Sequence, residues 1–400
     1  MSTAVRPTRR VPTSDEVVAL ARAQGLDAVG IAPATAFATT RRHLDDRRAA
    51  GLSGDMRFTY LHPERSSDPA TALPDARALI VAARSYRRAV SGLEPDGATT
   101  VSDGDHPDPA AGRDVRPRGR VARYAWDDHY QPLKQALMAV ARSLKAEGWR
   151  ARVLADDNAL VDREAAYRAG LGWYGKNANL LLPGEGSWFV LGSVVTDAPL
   201  TATAERVADG CGTCTRCLDG CPTGAIVAPG VVDARRCLAW LLQVEGAFPR
   251  EHRVALGDRI YGCDDCQEVC PPNRRVGRTT EAPAADPGSQ ATVDVLDMLA
   301  ATDEELLDRH GRWYVPRRQA RYLRRNALIV LGNVADPADG RVAAALRGAL
   351  AHDDGIVRAH AVWAARRLGR DDLLTGDGRA LDDDPDPLVR AELTAPVERR

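Results

Sequence analysis

Cys211-Gly212-Thr213-Cys214-Thr215-Arg216-Cys217-Leu218-Asp219-Gly220-Cys221-Pro222 is the stretch on which the reading of this chain turns. Two-residue spacers let one tight loop turn three thiolates onto three irons of a cube, while the fourth iron must be reached from elsewhere in the chain. Downstream stand Cys237 alone and then Cys263-x2-Cys266-x3-Cys270-Pro271, a second run that lacks a leading cysteine. Cys237 is the candidate to replace it.

The first run has the spacing of bacterial two-cluster ferredoxins, in which the cysteine before proline serves the opposite cluster. By that rule cluster 1 is expected on Cys211, Cys214, Cys217 and Cys270, and cluster 2 on Cys221, Cys237, Cys263 and Cys266. All 8 cysteines of the chain are then used. Two four-cysteine zinc sites are the alternative, although zinc favours Cys-x2-Cys pairs well separated in sequence. Disulfides are disfavoured, because staples of a secreted domain are spread along the chain. Two cubes so placed form a path for single electrons, and such a path needs a terminus.

The 400 residues allow two or three domains. A net charge of -1 gives no global case for nucleic acid, so such a case must rest on where the arginines sit. No apolar stretch is long enough to span a bilayer, and Met1 to Ser14 lacks the apolar segment of a secretory signal. A cytoplasmic protein with no membrane partner, acting as a monomer, is expected.

Upstream of the cysteines, a mixed α/β unit is expected over 1–204. A helix is expected over Glu16 to Gln24 with Ser14 as its cap, a buried strand over Ala78 to Ala83, and a helix over Gln131 to Glu147 ended by Gly148. A strand is expected to begin over Arg152 to Leu154, and another over Ser187 to Thr196. Residues 91–119, rich in Gly, Pro and Asp, read as a mobile insertion. The cluster unit is expected over 205–285, with Pro271 to Pro287 as a linker. From 290 to 400 the pattern is helical, and Arg321 to Gly332 resembles Arg358 to Gly369 at an offset of 37 residues, which points to HEAT-like helix pairs. The expected class is therefore α+β multidomain. Ala169 to Leu182 is a glycine-punctuated loop that either brings backbone close to a bulky ligand or is a plain turn.

Taken together, Ala155 to Arg163, Ala169 to Asn177, Cys211 to Ile226, Val232 to Cys237 and Arg259 to Cys270 resemble the epoxyqueuosine reductases, cobalamin-dependent iron-sulfur enzymes of queuosine formation in tRNA. The resemblance runs from about Asp15 to Gly369 and makes 1–204 the cobalamin-binding catalytic unit. It implies cob(II)alamin beside the two [4Fe-4S] clusters, a tRNA anticodon stem-loop as partner and a low-potential electron donor. It places the proton donor at Asp156, with Asp157 as the neighbouring candidate. It also sets the corrinoid against Arg65, Tyr124, Asp156, Lys176, Asn177 and Asn179. No Asp-x-His-x-x-Gly motif occurs, which implies a base-off cofactor without a histidine ligand. An anticodon loop calls for local basic surface, and Arg317, Arg318, Arg321, Arg324 and Arg325 are the candidates, with a solvated helix face as the bland alternative. Two rival readings are a corrinoid reductase acting on a small molecule, related to the reductive dehalogenases, and a non-catalytic electron carrier.

Overall fold

The run Ala-Leu-Ile-Val-Ala-Ala from Ala78 is apolar on both faces, and a strand can bury both faces only at the centre of a sheet covered on both sides. In the computed structural model, which describes residues 9–88, 116–203, 205–279, 290–375 and 381–400, that strand is Ala78–Ser85. It pairs antiparallel with Ala28–Pro33 on one side and with Phe189–Thr196 on the other. Phe189–Thr196 in turn pairs antiparallel with Ala151–Leu154, completing a four-stranded sheet.

Alternate residues of the central strand enter different layers. Ala78, Ile80 and Ala82 pack with the helices Ser14–Ala23 and Tyr130–Ala146. Leu79, Val81 and Ala83 pack with Phe37, Leu160 and the helix Asp162–Arg168. Each fully buried Leu or Val contributes about 1.5–3 kcal/mol, so the layers are held mainly by apolar burial. The first helix starts one residue earlier than Ser14 as cap would give. Thr13 is the cap and exchanges hydrogen bonds with Glu16 in a capping box, satisfying two orphan groups reciprocally.

A second sheet joins remote parts of the chain. Arg118–Val121 pairs parallel with Arg259–Tyr261 and antiparallel with Thr292–Asp294. The insertion expected over 91–119 lies outside the described residues as far as 115, and Arg118 and Gly119 are strand. The expected linker from Pro271 begins as a helix, Pro271–Thr279, and 280–289 lie outside the described residues. Val121, Trp126, Leu241, Phe248 and Ile260 share one apolar core with the C-terminal helices, so cluster region and helical region are packed as a unit.

Those helices include Arg321–Val334, Gly340–Leu350, Gly355–Arg367 and Pro387–Thr394. Asp339, Asp354 and Asp386 cap the last three, each accepting a backbone N–H two residues on. Gly332 permits the close crossing of the first and third. A Cβ there would lie 2.8 Å from Cζ3 of Trp363 and 3.1 Å from Cα of Ala364.

Candidate functional site

The fold sorts the cysteines into two neighbourhoods. Cys270 lies within electrostatic reach of Cys211, Cys214 and Cys217, and shares an apolar cluster with Cys211, Trp173 and Leu181. Cys266 has Cys263, Cys237 and Cys221 about it. The cysteine before proline in each run thus sits with the other run. Burial pushes the Cys270 thiol up to about 11 and raises Cys237, Cys263 and Cys266 as well. Iron, which binds thiolate, would offset that penalty. The buried indole Nε1 of Trp173 has no hydrogen-bond partner and lies in the cluster with Cys270 and Cys211, as a sulfur acceptor there requires. Among the described residues no three His, Cys, Asp or Glu side chains converge on a site for one ion, whereas a cube spreads its thiolates over separate irons.

The Asp156 turn leaves the end of the strand Ala151–Leu154. Asp156 is exposed and holds φ at +53°, a left-handed conformation costing a non-glycine residue about 1–2 kcal/mol. The carboxylate of Asp157 accepts the N–H of Ala159 at 2.8 Å and so is tied into the turn. Asn158 Oδ1 accepts the N–H of Thr59 at 3.1 Å, and Ser66 O accepts the N–H of Val161 at 2.9 Å. These two bonds seat the segment carrying exposed Arg65 against the turn. Thr59 and Ala178 are also left-handed, at φ +57° and +62°. Strained non-glycine residues gather where surrounding structure over-determines a functional geometry.

Arg163 links this turn to the glycine loop by donating to Ala178 O at 3.1 Å. The loop is a tight hairpin between Trp173–Tyr174 and Leu180–Leu181, with Gly175 N–H on Asn179 O. Lys176 Nζ donates to Gly212 O at 2.7 Å in the first cysteine run. Asn177 is buried, donates from Nδ2 to Cys266 O at 3.1 Å, and accepts the Asn179 N–H on Oδ1. The side chains of Lys176 and Asn177, residues the resemblance sets against a corrinoid, therefore hold the two cysteine loops.

Tyr124 lies on a short turn, Arg123–Ala125, tilted against Tyr261 at 6.2 Å between ring centroids. Gly262, at φ +72°, lets the Cys263 loop lie on it, since a Cβ there would be 2.9 Å from Tyr124 Cε1. Burial raises the phenols of Tyr124, Tyr130 and Tyr261, the last to about 12, with the negative charge of Asp156 adding to the rise at Tyr130 and Tyr261. All three stay protonated donors at neutral pH. Burial, then the charge of Asp156, lifts the carboxyl of Asp162 well above its ordinary range, and its Oδ1 has no partner. Asp264 accepts the Arg123 N–H at 2.6 Å and is pushed up to about 6 by burial. The roles of Tyr261, Asp162 and Asp264 were missed in sequence. All three carried a signal in that they lie within the stretches Ala155 to Arg163 and Arg259 to Cys270.

The five arginines proposed for RNA do not form one surface. Arg325 is fully buried, and its guanidinium donates to the carbonyls of Leu241, Leu242, Val244 and Gly246. Arg324 is buried against Asp303 and Ala301 O. Arg321 is half-buried and donates to Asp354 at 2.8 Å. Helical spacing put them near one another, but Arg325 is turned into the cluster region while Arg324 and Arg321 are taken up by Asp303 and Asp354 of the helical region. Arg317 and Arg318 remain exposed, both left-handed, with Arg317 paired to Glu245 at 3.0 Å.

Sheet, cysteine neighbourhoods and hairpin together define an iron-sulfur protein, and residues 210–273 match the family model of the 4Fe-4S double cluster binding domain. An epoxyqueuosine reductase of Xanthomonas campestris is 36% identical over 88% of this chain and 94% of its own length. A solved structure of epoxyqueuosine reductase with a tRNA-Tyr epoxyqueuosine-modified tRNA stem loop superposes with a TM-score of 0.78 at 28% identity, covering 95% of this chain and 96% of that one. A Bacillus subtilis epoxyqueuosine reductase structure, its catalytic aspartate loop swung out of the active site, gives 0.77 at 28% identity with the same coverage of both chains. The chain belongs to the epoxyqueuosine reductase family.

Proposed function

We propose that this chain reduces the epoxide of epoxyqueuosine to the alkene of queuosine in a tRNA anticodon loop. The reaction takes up two electrons and two protons and releases the oxygen as water. One observation carries the reading: the Asp156 turn, the glycine hairpin and the Cys266 loop are joined by Arg163 to Ala178 O and by Asn177 to Cys266 O. A carboxyl that can give a proton thus stands one hairpin away from a site for electrons. Relatives named for this activity, and the structure of one with its modified stem loop, support it.

Cobalamin fits the neighbourhood in that Arg65, Asp156 and Asn179 lie on segments tied together around the strained residues Thr59, Asp156 and Ala178, and Tyr124 would meet it from the turn against Tyr261. Lys176 and Asn177 would meet it through their backbone, because their side chains hold the cysteine loops. Bound cobalamin would supply a strongly reducing cobalt centre, chemistry no side chain offers. Asp156 would protonate the departing oxygen, and its exposure leaves room for a nucleotide to cover and desolvate it. Neutral Tyr130 and Tyr261 would donate hydrogen bonds beside it. Cys211, Cys214, Cys217 and Cys270 would hold one cluster, and Cys221, Cys237, Cys263 and Cys266 the other.

The helices from Arg321 onward would form HEAT-like pairs. Arg317 and Arg318 are the members of the basic set left to meet phosphate. No described helix is long and apolar enough to cross a membrane. We infer a cytoplasmic, monomeric enzyme. The test is mass spectrometry of tRNA nucleosides after anaerobic incubation with the reconstituted protein, cobalamin and a low-potential reductant. The expected product is a nucleoside lighter by one oxygen; an unchanged nucleoside with full iron and corrinoid loading overturns the reading.

A further inference from the structure

The two cysteine neighbourhoods face different surroundings. The one holding Cys266 carries the Asn177 contact, and Cys237 within it lies in the electrostatic reach of Arg163, so it adjoins the Asp156 turn. The one holding Cys211 and Cys270 lies beside a different feature, a cavity of about 320 Å³ lined by Arg216, Pro271, Arg274 and Arg275. Two of these residues are covalent neighbours of cysteines in that set, since Arg216 precedes Cys217 and Pro271 follows Cys270. Arg216 and Arg275 are exposed and Arg274 is half-buried, while Arg274 and Arg275 are each also engaged within the chain.

Three guanidinium groups line one opening of a chain whose net charge is -1, with Arg274 and Arg275 also engaged within the chain. Their position also matters. Electrons must enter at the neighbourhood farther along the path from Asp156, and a protein carrier must bring the edge of its own cofactor close to that entry. Association steered by opposite charge raises encounter rates by about 10–10³-fold and decays with salt.

We propose that the face around Arg216, Arg274 and Arg275 is the docking site for an acidic one-electron carrier protein, which reduces the cluster held by Cys211, Cys214, Cys217 and Cys270. The inference rests on the function proposed above and names the partner of its electron entry. Each reduced carrier gives one electron and leaves oxidised by one, and two successive visits supply the two electrons of the epoxide reduction. Cys211, Cys214, Cys217 and Cys270 would hold the cluster that receives each electron, Asn177 would tie the loop of the second cluster to the hairpin, and the protons would be supplied at the Asp156 site.

The experiment uses the reconstituted full chain and follows bleaching of cluster absorbance by stopped flow, so it does not depend on tRNA turnover. Reduced flavodoxin is the carrier probe, and reduced methyl viologen, small and cationic, is the control. In R216E/R275E the second-order rate with flavodoxin should fall at least about tenfold at low salt and lose most of its salt dependence. The viologen rate, iron content and affinity for a tRNA stem-loop should stay unchanged. The milder Arg216→Gln, at an exposed position, should lower the flavodoxin rate about threefold if the double variant does not fold. An unchanged flavodoxin rate, an equal loss with viologen, or a loss confined to RNA binding would each overturn the proposal. Failure of nucleoside reduction with normal bleaching would instead count against the proposed function.

Discussion

Replacing Arg325 should destabilise the junction between the cluster region and the helices without touching RNA. The guanidinium has no exposed surface and donates to Val244 O and Gly246 O at 2.8 Å, Leu242 O at 3.1 Å and Leu241 O at 3.3 Å. It also meets Asn326 Oδ1 at 2.9 Å. In Arg325→Ala, Leu242 O keeps the Nδ2 of Asn326 at 3.0 Å, but Leu241, Val244 and Gly246 lose the guanidinium. Each buried acceptor left unsatisfied costs about 1–3 kcal/mol. Relief of the desolvation that pushes Arg325 down to about 9 offsets part of this. A net loss of about 3–5 kcal/mol is expected, as for breaking a buried charged network. Arg325→Lys keeps the charge but not the fork, and should fall between. Anaerobic thermal unfolding of the reconstituted protein should show a fall on the order of 5–10 °C for Arg325→Ala. Anisotropy titrations of a tRNA stem-loop should return the wild-type salt slope. An unchanged melting temperature together with a slope shallower by about one counterion would refute the placement and restore Arg325 to the RNA surface.

Three other outcomes follow from the same geometry. Asp156→Asn should retain iron and stem-loop affinity while nucleoside reduction drops about a hundredfold or more, whereas Asp157→Ala, which removes the acceptor of the Ala159 N–H, should cost mainly stability; the reverse pattern would reassign the acid. Arg317→Glu with Arg318→Glu should weaken stem-loop binding and flatten its dependence on salt, leaving the melting temperature within a few degrees, and wild-type affinity would remove both from the interface. His310, stacked on Trp313 at 4.3 Å, is pushed down to about 4 by burial and by Arg309 and Arg312. The unfolded chain therefore binds this proton first as pH falls, so stability should drop between about 6.5 and about 4, and urea midpoints of His310→Asn should vary less across that window.

The cysteine block was legible because its information is local. Three thiols at two-residue spacing can share one loop whatever surrounds them, and the match of residues 210–273 to a double-cluster model accords with that. The central strand was legible for a related reason, since Ala78 to Ala83 is apolar on both faces and only one position in a sheet accepts that.

Burial is decided by residues far away in the chain, and there the sequence was silent. Arg324 and Arg325 have the same local pattern as a solvated basic helix face, yet Asp303 and the Ala301 carbonyl cover the first and the carbonyls of Leu241 to Gly246 the second. Arg118–Val121 could join Arg259–Tyr261 and Thr292–Asp294 in one sheet only after the chain had folded back twice, so no window of sequence contained it. Lys176 and Asn177 carried no local sign that their side chains would reach Gly212 O and Cys266 O, contacts that only the fold supplies. Spacing along the chain set which chemistry was present, and the packing of distant segments set which atoms were left free to perform it.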